Sequence, residues 1–155
     1  MAAGAGSSGA VTNGTSPAST PIQLSIPLPY APGSRIHIHL TLLATSLVLF
    51  LANSSSEVAG AAALGSFVFA MPDRYNPTQP LSTPLYTLPS SQDFATRLAK
   101  MLARKTGRAA YVGSSLSFAG AAGGGTVEEE VEGFRRVTEV VMAEIEKAHV
   151  GEDGA

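Results

Sequence analysis

The stretch Asp93–Phe118, DFATRLAKMLARKTGRAAYVGSSLSF, decides the fold. Phe94, Leu98, Met101 and Leu102 fall at i, i+4, i+7 and i+8, one stripe of a 3.6-residue helix. Arg97, Lys100, Arg104 and Lys105 lie largely outside that stripe. Gly107 stands where a helix closes through a left-handed residue, and the basic residues before it suit the negative end of the macrodipole. Tyr111, Val112, Leu116 and Phe118 then supply strand-type residues. A helix running directly into a strand needs more sheet for both to pack against, and that sheet must come from upstream.

Upstream, Ile22-Gln23-Leu24-Ser25-Ile26 alternates as a short strand, and Pro27 and Pro29 predict an edge position for it. The longest apolar run is Ile36–Leu51, IHIHLTLLATSLVLFL, with no charged residue from Ile36 through Ser56. Its length raises the question of a membrane helix. His37, His39, the Ala44-Thr45-Ser46 break, and the alternation of Ile36, Ile38 and Leu40 with His37, His39 and Thr41 predict two strands and a tight turn instead. Asn53–Ser56 reads as a polar turn, the Ala/Gly run Val58–Gly65 stays unassigned, and Phe67–Met71 reads as a further strand. Prolines at 72, 77, 80, 84 and 89 exclude a helix, though Leu81–Thr87 can pair as an edge strand. Ser90 or Ser91 is placed to cap the helix that follows.

Downstream, the strand 109–118 gives way to Ala119–Gly125, AGAAGGG, a flexible connector by composition. Thr126-Val127-Glu128-Glu129 has the form of a capping box. Val127, Val131, Phe134, Val141 and Ile145 then trace an apolar stripe with a gap at Thr138, and Lys147 marks the helix end. The expected organisation is a disordered arm over 1–20, one domain over 21–149, and a frayed tail over 150–155. The fold class is α+β, an antiparallel β-sheet with two α-helices packed on one face.

Composition narrows the function. A chain of 155 residues, 45% hydrophobic and 14% charged, is long enough for one core, and its net charge of −2 gives no electrostatic case for nucleic acid. Without cysteine there is no disulfide, thiolate metal site or cysteine nucleophile. The opening MAAGAGSSGA has neither a basic residue nor an apolar segment, so it does not read as a secretory signal.

His37 and His39, at i and i+2 on a strand, project from one face and could begin a metal site. The remaining histidine is His149, far along the terminal helix, and the polar side of a half-buried strand is the simpler reading. Gly120-x-x-x-x-Gly125-Thr126 lacks the lysine of a phosphate-binding loop, and three glutamates follow it. No serine stands in a G-x-S-x-G turn, and no carboxylate pair has an apolar setting, so no catalytic apparatus and no cofactor are expected. The stripe Arg97, Lys100, Arg104, Arg108 reads first as a solvated face partly paired with Glu132, Glu139, Glu144 and Glu146. Its functional reading is a patch that docks an acidic protein surface, with Arg97, Arg104 and Arg108 as the contact residues.

These residues also carry a resemblance. Leu98-Ala99, Leu102-Ala103-Arg104-Lys105-Thr106, Tyr111-Val112 and Leu116 resemble the signature helix-to-strand segment of the proteasome assembly chaperone 4 family. Ile36-His37-Ile38-His39, Ala70-Met71 with Arg74-Tyr75, and Leu81-Ser82-Thr83 before Leu85 resemble further segments in that family's order, so that residues 34 to 148 are covered. The resemblance implies a non-catalytic chaperone with an antiparallel sheet and helices against it. It implies pairing with a proteasome assembly chaperone 3-like subunit. It further implies that the heterodimer promotes ordered formation of the α-subunit ring of the 20S core and leaves before maturation. The expected partners are therefore that subunit and proteasome α-subunits, without nucleic acid or membrane, in the cytoplasm and with a nuclear share left open. The alternative is a small metal- or ligand-binding α+β protein that uses the His37/His39 face.

Overall fold

The apolar run 36–51 folds as the expected hairpin. In the computed structural model, which describes residues 20–28, 33–55, 64–116, 118 and 126–153, β2 (Ser34–Leu42) and β3 (Ser46–Ser55) pair antiparallel. Their turn closes through a bond from the Leu43 amide to the Ser46 carbonyl, 2.9 Å. Alternation sets the inner face: Ile36, Ile38 and Leu40 are buried, as are Leu47, Leu49 and Leu51, while His37 points outward. Strand β3 continues through Asn53 to Ser55, so the polar turn expected at 53–56 does not begin at Asn53. Cross-strand bonds to Ser34, Arg35 and Ile36 hold those residues in the ladder.

Strand β1 (Ile22–Pro27) pairs antiparallel with β2 and forms one edge. At the other edge, β5 (Leu81–Tyr86) pairs with β4 (Ser66–Met71) and carries Pro84, whose missing N–H an edge strand tolerates. Helix α1 (Gln92–Thr106) follows, and β6 (Ala109–Ser114) then enters between β3 and β4, giving the order β1-β2-β3-β6-β4-β5. The sheet is antiparallel except at one place, since β6 runs parallel to β3. Helix α1 carries the chain back from β5 to β6, so β6 runs parallel to β5 and antiparallel to the β4 between them, and in that direction it meets β3 in parallel.

Both helices pack on the inner face. Phe94, Ala95, Leu98, Ala99, Leu102 and Ala103 of α1 are buried against β4, β6 and β5. Burying each large side chain of that stripe contributes about 1.5–3 kcal/mol. Met101, read as part of the stripe, is only partly buried. Gly107 adopts φ 67° and returns its amide to the Ala103 carbonyl at 3.0 Å, the expected helix stop. Ser91 occupies the cap position, yet its hydroxyl makes no capping bond. Its Oγ instead accepts from the buried Ser66 amide at 3.1 Å and pairs with Ser66 Oγ at 2.9 Å, tying the helix start to β4.

Helix α2 (Val127–Asp153) lies beside α1 and contributes Val137, Val141 and Ile145 to the core, with contacts to β2. Thr126 Oγ1 accepts from the Glu129 amide at 3.3 Å, one half of the expected capping box. Val127 and Val131 are exposed, contrary to the apolar stripe read from the sequence. Among the described residues the helix first meets α1 at Glu130 and Phe134, and its opening turn is left exposed there. The buried stripe runs Phe134, Val137, Val141, Ile145. The helix also continues past Lys147 to Asp153, with no basic residue in its last turn, so residues 150–153 are helical rather than part of a tail. Residues 1–19, 58–63 and 119–125 lie outside the described residues, and with them the expected arm, most of the Ala/Gly run and the connector.

Candidate partner-binding face

With both helices on one side, the outer face of the sheet is left uncovered among the described residues. It divides into two halves. On β3, β6 and β4 the outward side chains include Val48, Phe50, Tyr111, Phe67 and Phe69, all at least partly exposed. Their rings form a connected row: Phe50 stacks on Phe67 at 5.9 Å, Phe67 on Tyr111 at 6.2 Å, and Tyr111 meets Phe69 at 4.8 Å. Met71, Leu81 and Tyr86 extend the apolar surface toward the β5 edge and are 43%, 55% and 57% exposed. Aromatic side chains held by their neighbours offer contact area at little entropic cost, which is why they concentrate in protein interfaces.

The other half, on β1 and β2, is polar. Gln23, Ser25, Arg35, His37, His39 and Thr41 point outward there. Arg35 donates to Ser25 Oγ at 2.7 Å and to the Ser25 carbonyl at 3.1 Å. Between the halves lies an open depression of about 420 Å³ whose lining includes Gln23, His37, His39, Phe50, Ala52 and Leu64. The two histidines share this face as their spacing predicts. Among the described residues no three His, Cys, Asp or Glu side chains gather to hold a metal.

The basic stripe is distributed differently from its sequence reading. Arg97 pairs with Asp93 at 3.0 Å and with Glu130 of α2, and its guanidinium lies 5.5 Å from the Phe134 ring centre. It clasps the two helices together. Arg108 donates to the Leu43 carbonyl at 3.2 Å and holds the hairpin turn. Arg104 and Lys105, at the exposed end of α1, make no ion pair among the described residues. None of the four glutamates expected to pair with the stripe does so among the described residues: Glu132 binds Arg135 and Arg136, Glu139 binds Arg135, and Glu144 binds Lys147; the glutamate that reaches α1 is Glu130.

The aromatic face was not singled out in the sequence, although a signal for it was present. LVLFL and FVF are apolar at consecutive positions, and a strand apolar on both sides is one whose two faces are both meant to be covered.

The family model of proteasome assembly chaperone 4 matches residues 35–116, more than half of the 155 residues. The chain belongs to that family. The matched segment spans β2 through β6 and so includes every ring of the aromatic row in this proteasome assembly chaperone 4 family member. Among solved structures, it is similar to a chain of a crystal structure described as a novel chaperone complex for yeast 20S proteasome assembly. The two share 16% identity and a TM-score of 0.59 over 81% of this chain and 96% of that one. At that identity the similarity shows the fold. No curated protein matches the sequence significantly. Among the described residues no helix of this family member is long and apolar enough to cross a membrane.

Proposed function

We propose that this protein is a non-catalytic proteasome assembly chaperone that pairs through its outer sheet face with a related small chaperone, of the proteasome assembly chaperone 3 kind. In this reading the pair promotes ordered formation of the 20S α-ring and leaves before the particle matures. The observation that carries it is the aromatic row on an uncovered sheet face, in a chain of this family. A stable protein interface takes roughly 800 Å² from each partner, apolar at its centre and polar at its rim. The row Phe50, Phe67, Tyr111, Phe69 supplies such a centre, and Gln23, His37 and Thr41 supply one side of the rim.

The cationic end of α1, on the opposite side of the sheet, is a second contact surface in this proposal. Arg104, without an ion pair among the described residues, is offered to an acidic surface of an α-subunit, whereas Arg97 ties α1 to α2 and Arg108 braces the segment after the helix against the hairpin turn. The work is assigned to the cytoplasm, with cell fractionation as its check.

The test is affinity purification of the tagged full-length chain from its own cells, with the co-purifying proteins identified by mass spectrometry. A second small chaperone together with α-subunits, and few mature β-subunits, is the expected result. The same capture with Phe67→Asp loses the small chaperone. Recovery without any proteasome subunit overturns the proposal.

A further inference from the structure

Tyr75 is 99% exposed, more than any other large apolar side chain among the described residues. It stands in the loop 72–80 between β4 and β5, where its ring packs on nothing in the fold. The backbone beneath it is nonetheless held. Asp73 Oδ1 accepts from the Tyr75 amide at 2.9 Å, Asn76 Oδ1 accepts from Thr78 Oγ1 at 2.9 Å, and the Asn76 carbonyl accepts from the Gln79 amide at 3.0 Å. Pro72, Pro77 and Pro80 fix φ at further positions of the same loop.

Topology gives this loop its neighbours. Ala70 pairs with Ala110, and Ser46 with Ala109, so the loop, the hairpin turn at 43–45 and the C-terminal end of α1 stand at the same end of the sheet. The charged residues of these three segments, taken through Arg108, are Arg74, Arg104, Lys105 and Arg108 against Asp73. The Asp73 carboxylate already accepts a bond from its own loop. Arg74 is exposed and, like Arg104, makes no ion pair among the described residues.

We infer that the loop 72–80 is a preformed anchor for an α-subunit, in which Tyr75 enters a pocket rimmed by carboxylates and Arg74 pairs with one of them. The inference rests on the α-subunit contact proposed at the end of α1 and extends it across the same end of the sheet. Tyrosine and arginine dominate binding energy where a partner takes them out of water. A ring of this kind buries roughly 150–250 Å² when covered. Because the loop is held before it binds, little further ordering is needed to seat the ring. Charge sets the chemistry of the occupant: the cations around Tyr75 attract an acidic surface, and a guanidinium matches a carboxylate with two parallel bonds. The outer face differs in kind, since its rings lie against one another as a broad apolar patch, whereas Tyr75 projects alone and suits a pocket.

The experiment captures partners on tagged full-length protein from its own cells and compares wild type, Tyr75→Ala and Arg74→Glu. Tyr75→Ala is expected to keep the wild-type thermal midpoint and the wild-type amount of small chaperone, while recovery of α-subunits falls about tenfold or more. Arg74→Glu is expected to lower α-subunit recovery in the same selective way. Wild-type recovery of α-subunits by Tyr75→Ala overturns the inference and leaves the chaperone pair and the Arg104 contact standing. Loss of the small chaperone along with the α-subunits would place Tyr75 in the pairing interface and overturn it equally. If wild type itself captures no α-subunit, the contact on which the inference rests is absent, and the inference falls with it.

Discussion

Phe50 and Phe67 stand two strands apart in the sheet, yet their rings stack at 5.9 Å, because the Phe50 ring lies over Gly113 of the strand between them. Gly113 is the register partner of both residues, and a Cβ there would come within 2.5 Å of the Phe50 ring. The missing side chain is what lets the aromatic row run unbroken across β6. Gly113→Val is therefore expected to push Phe50 off the surface and to cost about 1–3 kcal/mol in overpacking. Urea unfolding checks the stability, and partner capture by the folded variant is expected to fall along with it.

The buried hydroxyl of Ser66 accepts from the Leu88 amide at 2.9 Å, donates to the Leu88 carbonyl at 3.0 Å, and pairs with Ser91 Oγ. One atom thus joins β4, the segment before α1 and the helix start. Ser66→Ala leaves the Leu88 amide unsatisfied and is expected to cost about 1–3 kcal/mol. A urea midpoint equal to that of wild type would show that these bonds add nothing net.

Arg104 and Arg97 separate contact from support. Arg104→Glu is expected to lower stability by no more than about 1 kcal/mol, the effect of an acidic charge in the last turn of α1, since the side chain makes no ion pair among the described residues, and to lower recovery of α-subunits several-fold. Arg97→Ala removes an exposed pair with Asp93 and Glu130, for which a loss of up to about 1 kcal/mol is expected, with recovery little changed. Unaltered α-subunit recovery with Arg104→Glu would remove the α1 end from the proposed contacts.

Glu132 accepts hydrogen bonds from Arg135 and Arg136, which hold its carboxyl down to about 2, below the ordinary Glu range. A carboxyl depressed in the folded state adds stability above its unfolded value, and that contribution is lost as pH falls through about 2. NMR titration of the Glu132 side chain is expected to show it still ionised at pH 3. In Glu132→Gln this part of the acid dependence of unfolding disappears.

The order of elements and the inner face were legible because the inward side chains obey simple periods. Ile36, Ile38 and Leu40 alternate, and Phe94, Leu98 and Leu102 repeat on a helix, each in agreement with burial. What escaped depends on partners distant in sequence. Val127 and Val131 carry the right spacing but stay exposed among the described residues, and Ser91 gives its hydroxyl to Ser66 rather than to the helix. The outer face was hidden for a related reason. Phe50, Phe67 and Tyr111 look like ordinary strand residues until β6 is known to lie between β3 and β4. The positions of Arg97 and Arg108 likewise follow from tertiary neighbours, Glu130 and the Leu43 carbonyl, that no local pattern announces.

The strand at the centre of the sheet is the last one to be synthesised. The meander β1-β2-β3 and the hairpin β4-β5 each pair within themselves, and only β6 bonds to both. On the ribosome the two local units can form early, but their shared seam stays open until residues 109–114 have emerged. Through that interval the inner edges of β3 and β4 are unpaired and sticky. A protein that guards the assembly of others thus passes through a nascent stage in which its own halves must find each other around a strand not yet made.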